Sequence, residues 1–282
     1  MALTVRTNMA AIGAINNLNK TQNSLSSSLG KISSGLRINR AADDAAGQAV
    51  AMRMNSDNTS LKQSMRNTND GISMVQTAEG GLSELHNILV RMRELSVQAS
   101  NETYNSTDRS MITTEMTQLT NEYTRITSTA NFNRVDILKG SDTAFNIQVG
   151  IHDNADNRIN INLASLNSTL GAVGLSFGAN GGITGSGSLG NAQSNISTID
   201  AALSEIATRR ARLGAIQNRL ENALSEATNY SENLSSSQSQ IMDVDYATES
   251  ADMTRYQIQQ QAGVAALAQA KAIPQSIISL LS

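Results

Sequence analysis

The stretch AIGAINNLNKTQNSLSSSLGKISSGL, residues 11–36, decides the fold. Ala11, Ile15, Leu18, Gln22, Leu25, Leu29, Ile32 and Leu36 recur in it by alternate steps of four and three, with Gln22 the one polar interruption. That spacing is the period of a coiled-coil helix. The other faces are Asn, Ser, Thr, Lys and Gln, so the apolar material forms one narrow stripe that nothing nearby in sequence covers. A lone stripe of this kind does not offset the backbone entropy lost on ordering a helix, and the segment is expected to stay largely disordered until another helix covers it.

Working outward, the best partner lies at the opposite end of the chain, where Met253, Tyr256, Val264, Leu267, Ile273, Ile277, Leu280 and Leu281 form a second apolar helical stretch. Charge favours the pairing. Residues 1–42 hold Arg6, Lys20, Lys31, Arg37 and Arg40 with no acid, whereas residues 240–282 hold Asp243, Asp245, Glu249 and Asp252 against Arg255 and Lys271.

Composition points the same way. Of 282 residues, 39% are apolar but only 3% aromatic, with no Trp, so large core anchors are scarce and apolar area must be buried as long thin seams. A single proline, Pro274, leaves almost nothing to interrupt long helices, and the absence of cysteine excludes disulfides, thiolate metal sites and cysteine nucleophiles. A chain without cysteine also suits passage, unfolded, through a narrow pore. The opening residues Met1–Arg6 lack the apolar core of a secretory signal, and no run is long enough to span a membrane. A net charge of −3 gives no general attraction to nucleic acid or anionic lipid, so neither is an expected partner.

Between the ends, the spacing predicts a non-helical spoke over residues 33–47, with Asp43 or Asp44 capping the helix that follows. Helical pattern runs through Met65, Ile72, Val75, Leu82, Leu89 and Met92, breaks near Asn101–Asp108, and resumes at Ile112, Met116, Leu119, Tyr123, Ile126 and Ala130. These read as two antiparallel helices. Alternation at Phe145, Ile147, Val149 and Ile151, then at Ile159, Ile161 and Leu163, predicts a β-hairpin near 143–164. Residues 171–190 read as a Gly/Ser-rich tip. The longest seam follows: Ile196, Ile199, Leu203, Ile206, Leu213, Leu220, Leu224, Ala227, Leu234 and Ile241. Gln240–Ala251 is expected as a second spoke, with Asp243 or Asp245 capping the terminal helix. The fold class is therefore mainly α, a long antiparallel helical bundle or coiled coil. Residues 1–44 with 240–282 form a terminal two-helix segment, and residues 45–239 form a three-helix rod bearing the hairpin.

No catalytic set emerges. Asp43 and Asp44 stand without His or Cys, and read as caps. The run Gly185-Ser186-Gly187-Ser188-Leu189-Gly190 has the letters of a dinucleotide fingerprint but no strand before it. The acids between Asp243 and Asp252 lack the spacing of a calcium loop. Arg209, Arg210, Arg212 and Arg219 cluster without interleaved aromatics, against nucleic-acid stacking. His86 and His152 read as surface positions. No metal or cofactor is expected.

Asn16-Asn17-Leu18, Ser33–Asn39 and Ala41–Gly47 at the front, Arg91–Gln98 and Asn131-Phe132-Asn133 in the middle, and Gln217–Leu220, Met242–Ala247 and Ile278–Leu281 at the back carry a resemblance. With these motifs the chain resembles the bacterial flagellin family. The resemblance implies paired terminal helices forming an inner tube, a helical rod outside it, and no added outer domains. It also implies a secreted, non-enzymatic subunit that polymerises into the flagellar filament for motility; a hook–filament junction or other minor flagellar secreted protein is the alternative. Filament-core packing is assigned on this reading to Ile15, Leu18, Leu25, Leu29, Ile32, Leu36, Val264, Leu267, Ile273, Ile277, Leu280 and Leu281. Arg91, Leu95 and Glu115 are assigned to rod packing and to contact with the host toll-like receptor for flagellin. Implied partners are further copies of the chain, the flagellar export apparatus, an export chaperone, and the filament cap and hook-junction proteins.

Overall fold

The computed structural model describes residues 7–139, 144–162 and 188–281, excepting the side chains of 188–194 and 273–281. Leu163 at the hairpin's end and most of the expected tip, up to residue 187, lie outside that range, as does part of the fingerprint-like run. The elements in order are α1 (Met9–Ser34), α2 (Ala45–Ala99), α3 (Ser106–Thr129), β1 (Asn131–Phe132), β2 (Val135–Asp136), β3 (Ala144–Gln148), β4 (Arg158–Asn162), α4 (Ser188–Met242) and α5 (Tyr246–Leu281). The chain divides into two compact units, Met1–Asn58 with Glu232–Ser282, and Thr59–Ser231. Both divisions fall inside α2 and α4.

In the unit of residues 59–231, α2 buries Val75, Ala78, Leu82, Leu85, Leu89, Met92 and Leu95, a strict three–four alternation down to Met92. Ile112, Met116 and Tyr123 of α3 and Ile199, Ala202, Ile206, Leu213 and Leu220 of α4 complete the seam, and Ile159 and Ile161 of β4 close it at one end. The helices are antiparallel. Arg93 meets Asp200 at 2.6 Å, Arg210 meets Glu79 at 3.5 Å, and the Thr228 hydroxyl donates to Met65 Sδ at 3.6 Å, so numbers rise on α2 as they fall on α4. Asn105 caps α3 in a reciprocal box with Asp108.

β3 pairs with β4 in the expected antiparallel hairpin, Phe145 opposite Ile161 and Ile147 opposite Ile159. A second, smaller ladder was not expected: Asn131 pairs with Asp136 and Phe132 with Val135. Its turn residues Asn133 and Arg134 have φ of 48° and 66°, the left-handed conformation of a tight hairpin turn. Gly81 allows the chain after β2 to lie on α2, since a Cβ there would stand 2.7 Å from Leu138 Cδ1.

In the other unit α1 packs against α5. Asn8 Nδ2 donates to Ala270 O at 2.8 Å, the Gln260 amide donates to Gln22 Oε1, the Ser28 hydroxyl donates to Glu249 Oε1 at 2.5 Å, and the Tyr246 hydroxyl donates to Ile32 O at 3.2 Å. Numbers again run in opposite senses, so the pair is antiparallel. At its closed end Gly35 ends α1 at φ 73°, and Leu36 bridges Asp243. Arg37 N donates to Met242 O at 2.6 Å and Val244 N to Gly35 O at 3.0 Å. The expected spoke at 240–251 is corrected here: α4 runs to Met242 and α5 starts at Tyr246, because Asp245 caps the new helix within three residues.

Candidate functional site

The face that α1 presents to α5 differs from the seam read in the sequence. Positions 11, 18, 25 and 32 belong to both. Between them the structure covers Ala14, Thr21 and Ser28, not Ile15, Gln22 and Leu29, which lie one residue further round the helix. On α5 the covered positions are Met253, Tyr256, Gln260, Gly263, Leu267 and Ala270, and Val264 is displaced in the same way. Close approach explains the choice. Gly263 lies so near α1 that a Cβ there would be 3.3 Å from Leu18 Cδ1, and small or hydrogen-bonding residues suit that spacing better than bulky ones.

The consequence is a set of large apolar side chains that pairing does not cover. Met9 is 70% exposed, Ile12 46%, Ile15 41%, Leu29 47%, Ile258 61% and Val264 53%. Exposed apolar side chains gathered on paired helices mark an interaction surface. Of the residues assigned to packing between copies, Leu25 is buried within the pair, Leu18, Ile32, Leu36 and Leu267 are half-buried, and Ile15, Leu29 and Val264 face outward. The side chains of Ile273, Ile277, Leu280 and Leu281 lie outside the described residues.

Between the helices sits a polar group that the sequence reading missed. Ser28 is 1% exposed and donates to the Glu249 carboxylate, whose other oxygen lies 3.7 Å from Lys31 Nζ. Only the antiparallel alignment brings these three together. Of the two carboxylates read as alternative caps, Asp44 serves as one, its Oδ1 accepting from Gly47 N at 2.8 Å, whereas Asp43 Oδ2 accepts from Asn39 N and Arg40 N of the preceding loop. Asp245 Oδ1 accepts from Ala247 N at 3.0 Å, and Asp245 Oδ2 accepts from the Thr248 hydroxyl at 2.7 Å. The Thr248 hydroxyl, then the Ala247 and Thr248 amides, hold Asp245 below the usual carboxylate range.

In the other unit Arg91 reaches Glu115 at 2.7 Å and Glu94 at 3.0 Å, joining α2 to α3. The hydrogen bond to Glu115, more than that to Glu94, holds the guanidinium above its ordinary value. Arg91 and Glu115 are exposed, while Leu95 is 2% exposed and belongs to the core. Among the described residues no group of three or more His, Asp and Glu is placed to hold a metal ion, and no helix is long and apolar enough to cross a membrane.

Comparison with known proteins places these surfaces in context. Residues 5–143 match the model of the bacterial flagellin N-terminal helical region, and residues 196–281 match that of the C-terminal helical region. A flagellin of Halalkalibacterium halodurans is 42% identical over 97% of this chain and 98% of its own length. A flagellin of Bacillus subtilis is 35% identical over 97% of this chain and 98% of its own. Among solved structures, a putative flagellar hook-associated protein from Vibrio parahaemolyticus shares the fold, with a TM-score of 0.57 and 11% identity over 71% of this chain and all of that one.

Proposed function

This chain belongs to the bacterial flagellin family, and from that premise we propose that it assembles through the apolar side chains that the α1·α5 pair leaves uncovered. It is a structural subunit of the extracellular flagellar filament and polymerises with copies of itself to drive swimming. The observation that carries the proposal is the outward stripe of Ile12, Ile15 and Leu29 on α1, with Ile258 and Val264 exposed on α5, side chains that water disfavours and the chain itself does not bury. Head-to-tail contact through such a stripe does not close on itself, and repetition yields a helical fibre.

In this reading residues 1–44 with 240–282 form the assembling coiled-coil segment and residues 45–239 the rod segment. Ile15, Leu29 and Val264 contact neighbouring copies, while Leu18, Leu25, Ile32, Leu36 and Leu267 hold the pair together. The resemblance assigns Ile273, Ile277, Leu280 and Leu281 to the same role, and their side chains lie outside the described residues. The chain has no enzymatic activity; two histidines, His86 and His152, lie far apart in sequence and form no His-Glu-x-x-His pair. Export through the flagellum's own channel, a chaperone guarding α5, a cap that places subunits and junction proteins at the hook complete the set of partners. The lack of cysteine supports the export route. Toll-like receptor recognition falls to the exposed Arg91 and Glu115, with Leu95 holding α2 in place beneath them.

The test is sedimentation of purified full-length chain at neutral pH against a truncation lacking residues 1–40. Long fibres from the first and none from the second are expected. A full-length chain that stays monomeric even when seeded with fibres would overturn the proposal.

A further inference from the structure

We propose that a groove on the outward side of α1 receives a carboxylate side chain from a second copy of this chain, which sets the orientation of the contact; this rests on the assembly reading above. The groove has a volume of about 340 Å³ and lies between α1 and the loop that follows it, lined by Asn23, Ser27, Lys31, Asn39, Arg40 and Asp43 among others. At 100° per residue, Asn23, Ser26, Ser27 and Gly30 lie about half a turn from Leu18, Leu25 and Ile32, so the groove faces away from α5.

The loop over it is held by bonds within the chain itself. Asn39 Nδ2 donates to Gly30 O at 3.1 Å, Ile38 is 3% exposed, and Asp43 Oδ2 draws in Asn39 N and Arg40 N at 3.1 and 2.9 Å. Asp43 thus spends its carboxylate on backbone donors. The cations are less committed. Lys31 stands 3.7 Å from Glu249, beyond hydrogen-bond distance, and the Arg40 guanidinium has no ion pair or hydrogen bond with a described residue. The side chains of Asn23, Ser26 and Ser27 also make none. An unspent guanidinium, a half-spent ammonium and neutral amide and hydroxyl donors around one cavity form a receptor for an oxyanion.

A carboxylate from another copy fits better than a free ion because the charges of this chain are segregated. Residues 1–42 hold only cations, while the whole chain has a net charge of −3, so acid is in excess elsewhere. Asp57 and Glu232 are two such acids with no ion pair among the described residues. An apolar stripe drives association but tolerates sliding, whereas a charge seated in a groove sets register and orientation.

The experiment compares full-length wild type with Arg40→Gln, Arg40→Lys and, as control, Lys20→Gln, an exposed lysine of α1 outside the groove. Critical concentration for polymerisation is measured between about 50 and 500 mM salt, where screening weakens such a contact. Helicity by circular dichroism verifies folding, and inorganic phosphate is titrated into fibres of wild type and of Arg40→Gln, in which α1 is folded. Arg40→Gln is expected to raise the critical concentration about threefold to tenfold at low salt and to flatten its salt dependence. Arg40→Lys should recover part of both, and Lys20→Gln should match wild type. Equal critical concentrations and salt slopes for wild type and Arg40→Gln would overturn the inference. So would saturable, Arg40-dependent phosphate binding with polymerisation unchanged, which would mark the groove as a free-anion site. Wild type that forms no fibre would instead defeat the assembly reading on which the inference stands.

Discussion

Tyr123 is 6% exposed, and its hydroxyl finds no hydrogen-bond partner among the described residues. Burial pushes its ionisation well above the ordinary tyrosine range, so the group stays neutral at any working pH. A neutral buried hydroxyl without a partner keeps its desolvation cost and returns nothing. Tyr123→Phe is therefore expected to stabilise the unit of residues 59–231 by about 1 kcal/mol, measured by urea unfolding; a loss of stability would show that the hydroxyl is satisfied. At the same scale, the identity of Tyr123 as a core residue was legible in its spacing from Ile112, Met116 and Leu119. The partnering of Ser28 with Glu249 and Lys31 was not. Residues so far apart in sequence meet only through the alignment of two whole helices, which no local pattern specifies.

Among the elements, α2 and α4 were readable because an apolar residue returns to their seams at least once every seven residues, as at Leu82, Leu89, Leu213 and Leu220. The terminal pair was read less well. Its period was right at Leu18, Leu25 and Ile32, yet residues three and four further on compete for the seam, and hydrophobicity favoured Ile15 and Leu29 where close packing selects Ala14 and Ser28. The turn of β1 and β2 was missed because Asn133-Arg134 lacks the glycine that usually announces it. Gly263 tests the packing rule: Gly263→Val places methyl groups against Leu18, and should part α1 from α5 at a cost of about 1–3 kcal/mol. Loss of helicity in assembled material and a raised critical concentration are the expected signs.

The start of α5 carries a pH dependence. Because the folded state depresses the Asp245 ionisation, its stabilising contribution is complete above the unfolded carboxylate value, about pH 4, and is lost as pH falls through the lower folded value. Helicity followed by circular dichroism on acidification should therefore begin to decline at a higher pH in wild type than in Asp245→Asn, which retains a capping oxygen without the charge.

For the whole molecule, the flagellin family defines a polymer, and the physics of the chain supplies the reason. The unit of residues 59–231 has a continuous core running from Val75 to Leu95 and from Ile199 to Leu220. The α1·α5 pair alternates Leu18, Leu25 and Ile32 with the small or polar Ala14, Thr21 and Ser28 at its seam and leaves Ile12, Ile15 and Leu29 outside. One unit is built to stand alone, and the other to be finished by neighbours. Hydrogen exchange measured residue by residue on dilute subunit and on fibre tests this most directly. Amides of α1 and α5 should exchange rapidly in the dilute subunit and become strongly protected in the fibre, while the core of α2 and α4 is protected in both. Equal protection of the terminal helices and that core in the dilute subunit would contradict the account.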